Sequence, residues 1–318
     1  MSIILVLVCS SHSTTAHADR EVTEILFNDD QTSGDTTLLS DSAFRRKERK
    51  DRDADGLRRL LLGSLGGTTA EMETVQNAGM VFFNDPEGIC LYGRRPSQWY
   101  SEGFRVPGRT LIEACVDPTA ERIARAARDT LTADETPELI VDLFAGSGNL
   151  MLHMGQAFQR PVLGIEKDRN VAQLTARNLS LHGTSPSCLR HTDWVHYFTA
   201  PCPVQGPCLF VVAPPWQGAF SFERGLDLRR TNPPVLAVLD TIAARSEASR
   251  NVAVVQTPLH SDVDAESLRE LEAHHRVLHA QPGCLIIDVL GRAPDRHPGA
   301  GGEAVLPAMP GPRPRSAS

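Results

Sequence analysis

One stretch limits what this chain can fold into: Ile140-Val141-Asp142-Leu143-Phe144-Ala145-Gly146-Ser147-Gly148-Asn149-Leu150. It reads as a buried strand that runs into a glycine turn and then into a helix. Glycines at 146 and 148 remove the side chains that would keep the backbone from a ligand. The helix that follows offers unpaired N–H groups at its start. A nucleoside-bearing cofactor fits such a turn.

Three further signals follow at suitable distances. The short apolar run Pro161-Val162-Leu163-Gly164-Ile165 ends at Glu166, about twenty residues after the glycines, where a carboxylate pairs with the two hydroxyls of a ribose. Asp193, followed by Trp194, comes after Ser187-Cys188-Leu189-Arg190-His191 and offers a strand-end carboxylate to an adenine amino group. Leu209-Phe210-Val211-Val212-Ala213-Pro214-Pro215-Trp216 is a buried strand broken by two prolines and closed by an aromatic ring.

Taken together, DLFAGSGN, Glu166, Asp193 and the Pro-Pro-Trp after the fourth strand resemble the class I S-adenosylmethionine-dependent methyltransferases. The likeness spans roughly residues 75 to 292. The spacing is Gly-x-Gly and lacks the third glycine of the dinucleotide fingerprint, which favours the methyl donor over NAD. The resemblance implies an α/β fold, a Rossmann-like, mostly parallel seven-stranded sheet with an N-terminal helical extension. It implies S-adenosylmethionine as cofactor. The loop of Ala145, Gly146, Ser147 and Gly148 would border the methionine part, Glu166 the ribose and Asp193 the adenine, with Asp142, Asn149 and Ala213 completing the cofactor set.

The fourth motif resembles the amino-methylating branch, in which Asp, Asn or Ser precedes the prolines and holds the target nitrogen. Here that position is Ala213, which accepts no hydrogen bond from an amino group. The longer pattern, Ala213 to Gly218, then Leu226-Asp227-Leu228, then Asn251 to Pro258, is most similar to the trimethylguanosine synthase family, whose tryptophan stacks on the guanine of an RNA cap. Trp216 inherits that role, with Pro214 and Pro215 beside it.

A tryptophan face binds flat or cationic groups, with cation–π attraction worth up to about 2 kcal/mol when desolvated. Two acceptors therefore suit Trp216: a purine, or a carbon skeleton that becomes a carbocation on methylation. Phe220, Phe222, Glu223, Arg224, Arg229 and Arg230 follow closely. The phenylalanines would shelter a cation, Glu223 would serve as base, and the arginine forks would hold phosphate oxygens. The alternative to the cap-like acceptor is thus carbon methylation of a prenyl diphosphate such as geranyl diphosphate, with Mg2+ accompanying the diphosphate.

Composition fits an enzyme with one α/β core: 318 residues, 41% hydrophobic and 22% charged. The net charge of −7 argues against a general nucleic-acid binder, and so against a duplex as partner. A small-molecule or nucleotide-like acceptor is the expected partner, and oligomers are open. The first nine residues are apolar for too short a run to cross a membrane and lack a positive start. Seven cysteines at scattered positions form no Cys-x-x-Cys pair and read as free thiols of a cytoplasmic protein.

Residues 1–70 form a polar N-terminal extension with one helix around 42–63, a candidate lid. Residues 71–292 form the catalytic domain and 293–318 a Pro/Gly-rich tail expected to be disordered. Within the domain, 78–100 suggest a hairpin turning at Asp85-Pro86-Glu87-Gly88, and 118–133 a helix with Ile123, Ala126, Ala127 and Leu131 on one face. Later elements are a strand at 251–256, a helix at 265–273 and a last strand at 283–290. His274, His275 and His279 read as a solvated helix end rather than a metal cluster.

Overall fold

The computed structural model describes residues 54–199, 204–221, 224–259 and 262–289. Residues 1–53 of the expected extension, Phe222, Glu223 and the tail lie outside the described residues.

Nine strands and ten α-helices are placed among the described residues. Helix α1 is described over 54–62. It is followed by α2 (Met72–Phe83), α3 (Pro96–Ser101), α4 (Thr110–Glu113) and α5 (Asp117–Thr130). The alternating part then runs β1 (Leu139–Asp142), α6 (Asn149–Phe158), β2 (Val162–Glu166), α7 (Arg169–Leu181), β3 (Leu189–His191), α8 (Trp194–Tyr197) and β4 (Cys208–Val212). A small ribbon of β5 (Phe220–Ser221) and β6 (Gly225–Leu226) precedes α9 (Val235–Arg245), β7 (Asn251–Gln256), α10 (Ala265–His274), β8 (Arg276–Gln281) and β9 (Cys284–Asp288).

Seven strands make one sheet in the order β3-β2-β1-β4-β7-β9-β8. The first five run parallel, and β9 is antiparallel to both β7 and β8. This is the mostly parallel, Rossmann-like α/β architecture expected from the sequence. The chain order reverses between β1 and β4, which puts a crevice at their carboxyl ends.

The central strands are apolar without alternation because helices cover both faces. Ile140, Leu209, Val211, Val252 and Val254 point to one face, against Ile123 and Ala127 of α5 and Leu150 and Met154 of α6. Val141, Phe210, Val212, Ala253 and Val255 point to the other, against Val235, Val238, Leu239 and Ile242 of α9. The expected helix at 118–133 is α5, and its face is Ile123, Ala124 and Ala127, with Ala126 only half-buried.

A third cluster joins the segment before the sheet to α6 and α7. Leu61, Val75, Ile89, Leu91, Trp99 and Phe104 pack there with Met151, Leu152 and Leu179. Trp99 is fully buried and its indole N–H donates to the Ile89 carbonyl at 3.1 Å. Its truncation to alanine would cost about 3–5 kcal/mol.

Two sequence expectations are corrected. The 78–100 segment is no hairpin turning at Asp85: Val81, Phe82 and Phe83 end α2, which buries Val75, Ala78 and Gly79 at helical spacing and stops at Asn84 in the left-handed conformation. The tight turn lies further on, where Leu91 and Arg94 exchange both backbone hydrogen bonds across Tyr92 and Gly93. The histidines belong to no single helix end. His274 closes α10, while His279 lies in β8, an edge strand whose irregular register between Val277 and His279 hides its period.

Candidate functional site

The site grows from the end of β1. Asp142 is buried there, and its Oδ1 accepts the Phe144 N–H at 3.1 Å. Burial, with the nearby Glu166 charge adding to it, pushes its carboxyl up to about 7. The chain then turns sharply: Ala145 N–H donates to Ile165 O at 2.9 Å and Gly148 N–H to Ala145 O at 2.6 Å.

Gly146 and Gly148 have φ of 50° and 75°, a region that side chains resist. A Cβ at Gly148 would also stand 3.2 Å from the Thr175 methyl. In front of Gly146 the space is open, with nothing nearer than 3.9 Å to where its Cβ would be. A ligand can reach that backbone.

Glu166 closes the turn from β2. Its Oε2 accepts the Gly146 N–H at 3.0 Å and its Oε1 the Asp168 N–H at 2.7 Å. Burial raises its carboxyl above the ordinary range, against the pull of those two N–H groups. Each oxygen keeps a lone pair for a further donor. Across from it, Asp193 caps α8 by accepting the Val195 N–H and pairs with Lys167 Nζ at 2.7 Å. Burial opposes ionisation of Asp193, but Lys167 and the cap together hold its carboxyl below the usual range. Half-buried Phe144, two residues after Asp142, and Trp194, next to Asp193 in sequence, stand with ring centroids 6.0 Å apart. The residues present therefore suit a nucleoside: an acid for hydroxyls, an acid for an exocyclic amine, and two aromatic faces.

On the other side of the switch point, β4 leads into Ala213, Pro214, Pro215 and Trp216. Pro214 is buried and Trp216 half-buried, its ring 6.5 Å from that of Phe220. Asp227 N–H donates to Ala219 O at 2.9 Å, and Asn232 N–H to Pro215 O at 3.1 Å, so the aromatic pair rests on a braced loop. Phe222 and Glu223, expected as shelter and base, lie outside the described residues.

The arginines do not form one fork. Arg229 is ringed by carboxylates, with Asp227 at 2.9 Å, Glu266 at 3.2 Å, Asp264 at 3.6 Å and Glu270 at 3.9 Å. Arg224 and Arg230 are exposed. Among the described residues no group of three or more His, Cys, Asp or Glu side chains is arranged to hold a metal ion. Cys90, Cys115, Cys188 and Cys284 are free thiols. No described helix is long and apolar enough to cross a membrane.

Asn149 does not present its side chain to the crevice, as its place in the motif implied. It is fully buried, its Oδ1 accepting the Tyr92 N–H and its Nδ2 donating to Cys115 O, both at 2.8 Å. Sequence reasoning also missed Tyr92, Thr175 and Asn178. Tyr92 OH donates to Ser147 O at 2.8 Å, Thr175 Oγ1 to Gly146 O at 2.7 Å, and Asn178 Nδ2 to Tyr92 OH at 3.1 Å. The Tyr-Gly pair is the one local signal for this arrangement, since a two-residue turn of that hand favours glycine. A surface depression of about 400 Å³ lies between α7 and edge strand β3, lined by Arg169, Gln173, Leu189 and His191, and involves none of the expected site residues.

Neither the protein-family models nor the curated proteins include a match to this sequence. Solved structures with partial similarity to this chain are found. The T. thermophilus 16S rRNA N2 methyltransferase, solved with AdoMet and guanosine, is 17% identical, over 63% of this chain and 49% of that one, at a TM-score of 0.42. The mitomycin 7-O-methyltransferase MmcR is 15% identical over 57% of each chain, at a TM-score of 0.38. An rRNA methylase from Streptococcus thermophilus is 15% identical over 56% of this chain and 99% of that one, at a TM-score of 0.34.

Proposed function

We propose that this protein is an S-adenosylmethionine-dependent methyltransferase that acts on a flat acceptor stacked against Trp216. The observation that carries the reading is the pairing of Glu166 with Gly146 at the carboxyl ends of β2 and β1. It holds a carboxylate and an open glycine backbone side by side at the switch point of a parallel sheet, where a nucleoside's hydroxyls and the chain beyond its ribose are both within reach.

When bound, the cofactor supplies a methyl group on a cationic sulfur. The residues of this chain do the rest. Glu166 orients the ribose, Asp193 reads the adenine amine in exchange for Lys167, and Phe144 and Trp194 offer their faces to the ring. Trp216 and Phe220 hold the acceptor in line with the methyl group, and such positioning is itself a large share of catalysis. The aromatic walls also keep water from the transferring group.

The sequence pattern from Ala213 onward makes the trimethylguanosine synthase family the nearest model for the acceptor. Ala213 leaves an amino acceptor without a side-chain partner at that point, so the ring of Trp216 carries recognition. Methylation of a prenyl diphosphate would have to rely on Arg224 and Arg230, because Arg229 is engaged by four carboxylates. Calorimetry with S-adenosylhomocysteine tests the cofactor half, and absence of heat from the folded protein would end the proposal. Labelled S-adenosylmethionine offered with a methylated cap dinucleotide, free purine nucleotides and geranyl diphosphate tests the other half. Label on a purine is the expected outcome, and label on the prenyl diphosphate alone would replace it with the carbon-methylating reading.

A further inference from the structure

Inside the glycine turn, Ser147 Oγ accepts the Asn149 N–H at a long 3.3 Å. Gly148, at the N-cap of α6, has no side chain to offer, and φ at 146 and 148 is positive. Two carbonyls of the turn are gripped from outside it. Thr175 of α7 holds Gly146 O, and Tyr92 holds Ser147 O.

Tyr92 is 3% exposed, and its backbone sits at φ 59° in the left-handed region, which a bulky aromatic residue avoids. Such a conformation persists only where the surroundings over-determine it. Here they do so from four sides. Asn149, the first residue of α6, accepts the Tyr92 N–H, Ser147 O accepts the phenol, Asn178 donates to the phenol oxygen, and Phe104 stacks on the ring at 5.1 Å. Asn178 in turn bridges both the N–H and the carbonyl of Arg105.

We infer that Tyr92 is a positioning residue for the cofactor site: through Ser147 and Asn149, the segment running from Tyr92 to Arg105 sets the backbone of the glycine turn. This rests on the proposed use of that turn for the cofactor. A strained residue buried outside the crevice, with its phenol on the one carbonyl between the two glycines, links the segment before the sheet to ligand affinity. The linkage is reciprocal, so a ligand in the turn must also stabilise the 92–105 segment.

The test uses the full chain and S-adenosylhomocysteine. Tyr92→Phe keeps the ring and removes the phenol, leaving Ser147 O and the Asn178 amide without that partner. It should weaken binding by about five- to tenfold at a temperature well below the melt. Amide exchange at residues 146–149 should rise in the ligand-free variant. In the wild type the ligand should slow exchange at 92–94 and 104–106, and in Tyr92→Phe it should do so far less.

Ile242→Ala of α9 serves as the control, since it opens a cavity in a different cluster and touches neither the turn nor the 92–105 segment. It should lower the melting temperature and leave affinity within twofold. Thr175→Val removes the other grip and should mimic Tyr92→Phe if the latter does not fold. Equal affinity in wild type, Tyr92→Phe and Thr175→Val, with only the melting temperatures lowered, would overturn the inference. Failure of the wild type to bind would instead overturn the proposed function.

Discussion

Glu166 reaches back twenty residues along the chain to accept the Gly146 N–H at 3.0 Å, so an acid and a turn that are separate motifs in the sequence form one surface. Substituting Glu166→Gln keeps the shape and removes the charge. Hydrogen bonds to a charged group are worth about 1.5–3 kcal/mol, so affinity for S-adenosylhomocysteine should fall at least about tenfold. Titration calorimetry on the two proteins checks this, and unchanged affinity would remove Glu166 from the site.

The same carboxyl sets a pH dependence. Burial raises the Glu166 proton affinity above that of an ordinary glutamate, and in the proposed reading the carboxylate is the form that accepts the ribose hydroxyls. Wild-type affinity should therefore hold at neutral pH and decline as pH falls through that raised value, while Glu166→Gln should show no such decline. Binding curves across mildly acidic pH decide it.

Asp142 makes the opposite kind of contribution, to stability. With its carboxyl at about 7, the folded protein retains a proton that the unfolded chain releases once pH passes the ordinary aspartate value of 3.8. Rising pH across that window should cost folding stability, by at most about 1.4 kcal/mol per pH unit, and the loss should level off above neutrality. Asp142→Asn can still accept the Phe144 N–H and does not titrate. Its urea midpoint should gain on the wild type as pH rises from about 4 to about 8, and parallel curves would refute the assignment.

In the proposed reading Trp216 serves the acceptor and not the cofactor. Trp216→Ala should abolish detectable turnover and leave S-adenosylhomocysteine affinity within about twofold, if the ring stacks on the acceptor alone as proposed. Loss of cofactor binding in the variant would show that Trp216 belongs to the cofactor half.

Gly225 holds the loop proposed to bind the acceptor in place. It has φ 82°, and a Cβ there would stand 2.0 Å from Asp262 O, while its neighbour Leu226 accepts from Asp264 and donates to Asp262. Gly225→Ala should displace the β5–β6 ribbon, cost about 1–3 kcal/mol of stability and raise the acceptor KM. Cofactor affinity should stay near wild type, and steady-state kinetics with each substrate varied separates the two.

The sequence alone determined the parallel sheet and the glycine turn at the end of β1. The apolar runs at 139–142, 208–212 and 251–256 have no period because helices cover both faces, and that condition is local enough to read. Gly146, Gly148 and Glu166 were legible for a similar reason, since backbone conformation and strand-end charge are properties of short segments.

Tertiary structure decided what depends on distant partners. Whether Val81 to Phe83 end a helix or start a strand turns on the cluster that buries Val75 and Ala78, and that cluster includes residues of α6 and α7. Arg229 reads as a phosphate fork until α10 brings Glu266 and Glu270 beside it. Asn149 reads as a ligand contact until Tyr92 and Cys115, 57 and 34 residues away, take both ends of its amide. A short polar side chain has several equally good partners in the unfolded chain's reach, and only the packed molecule leaves it one.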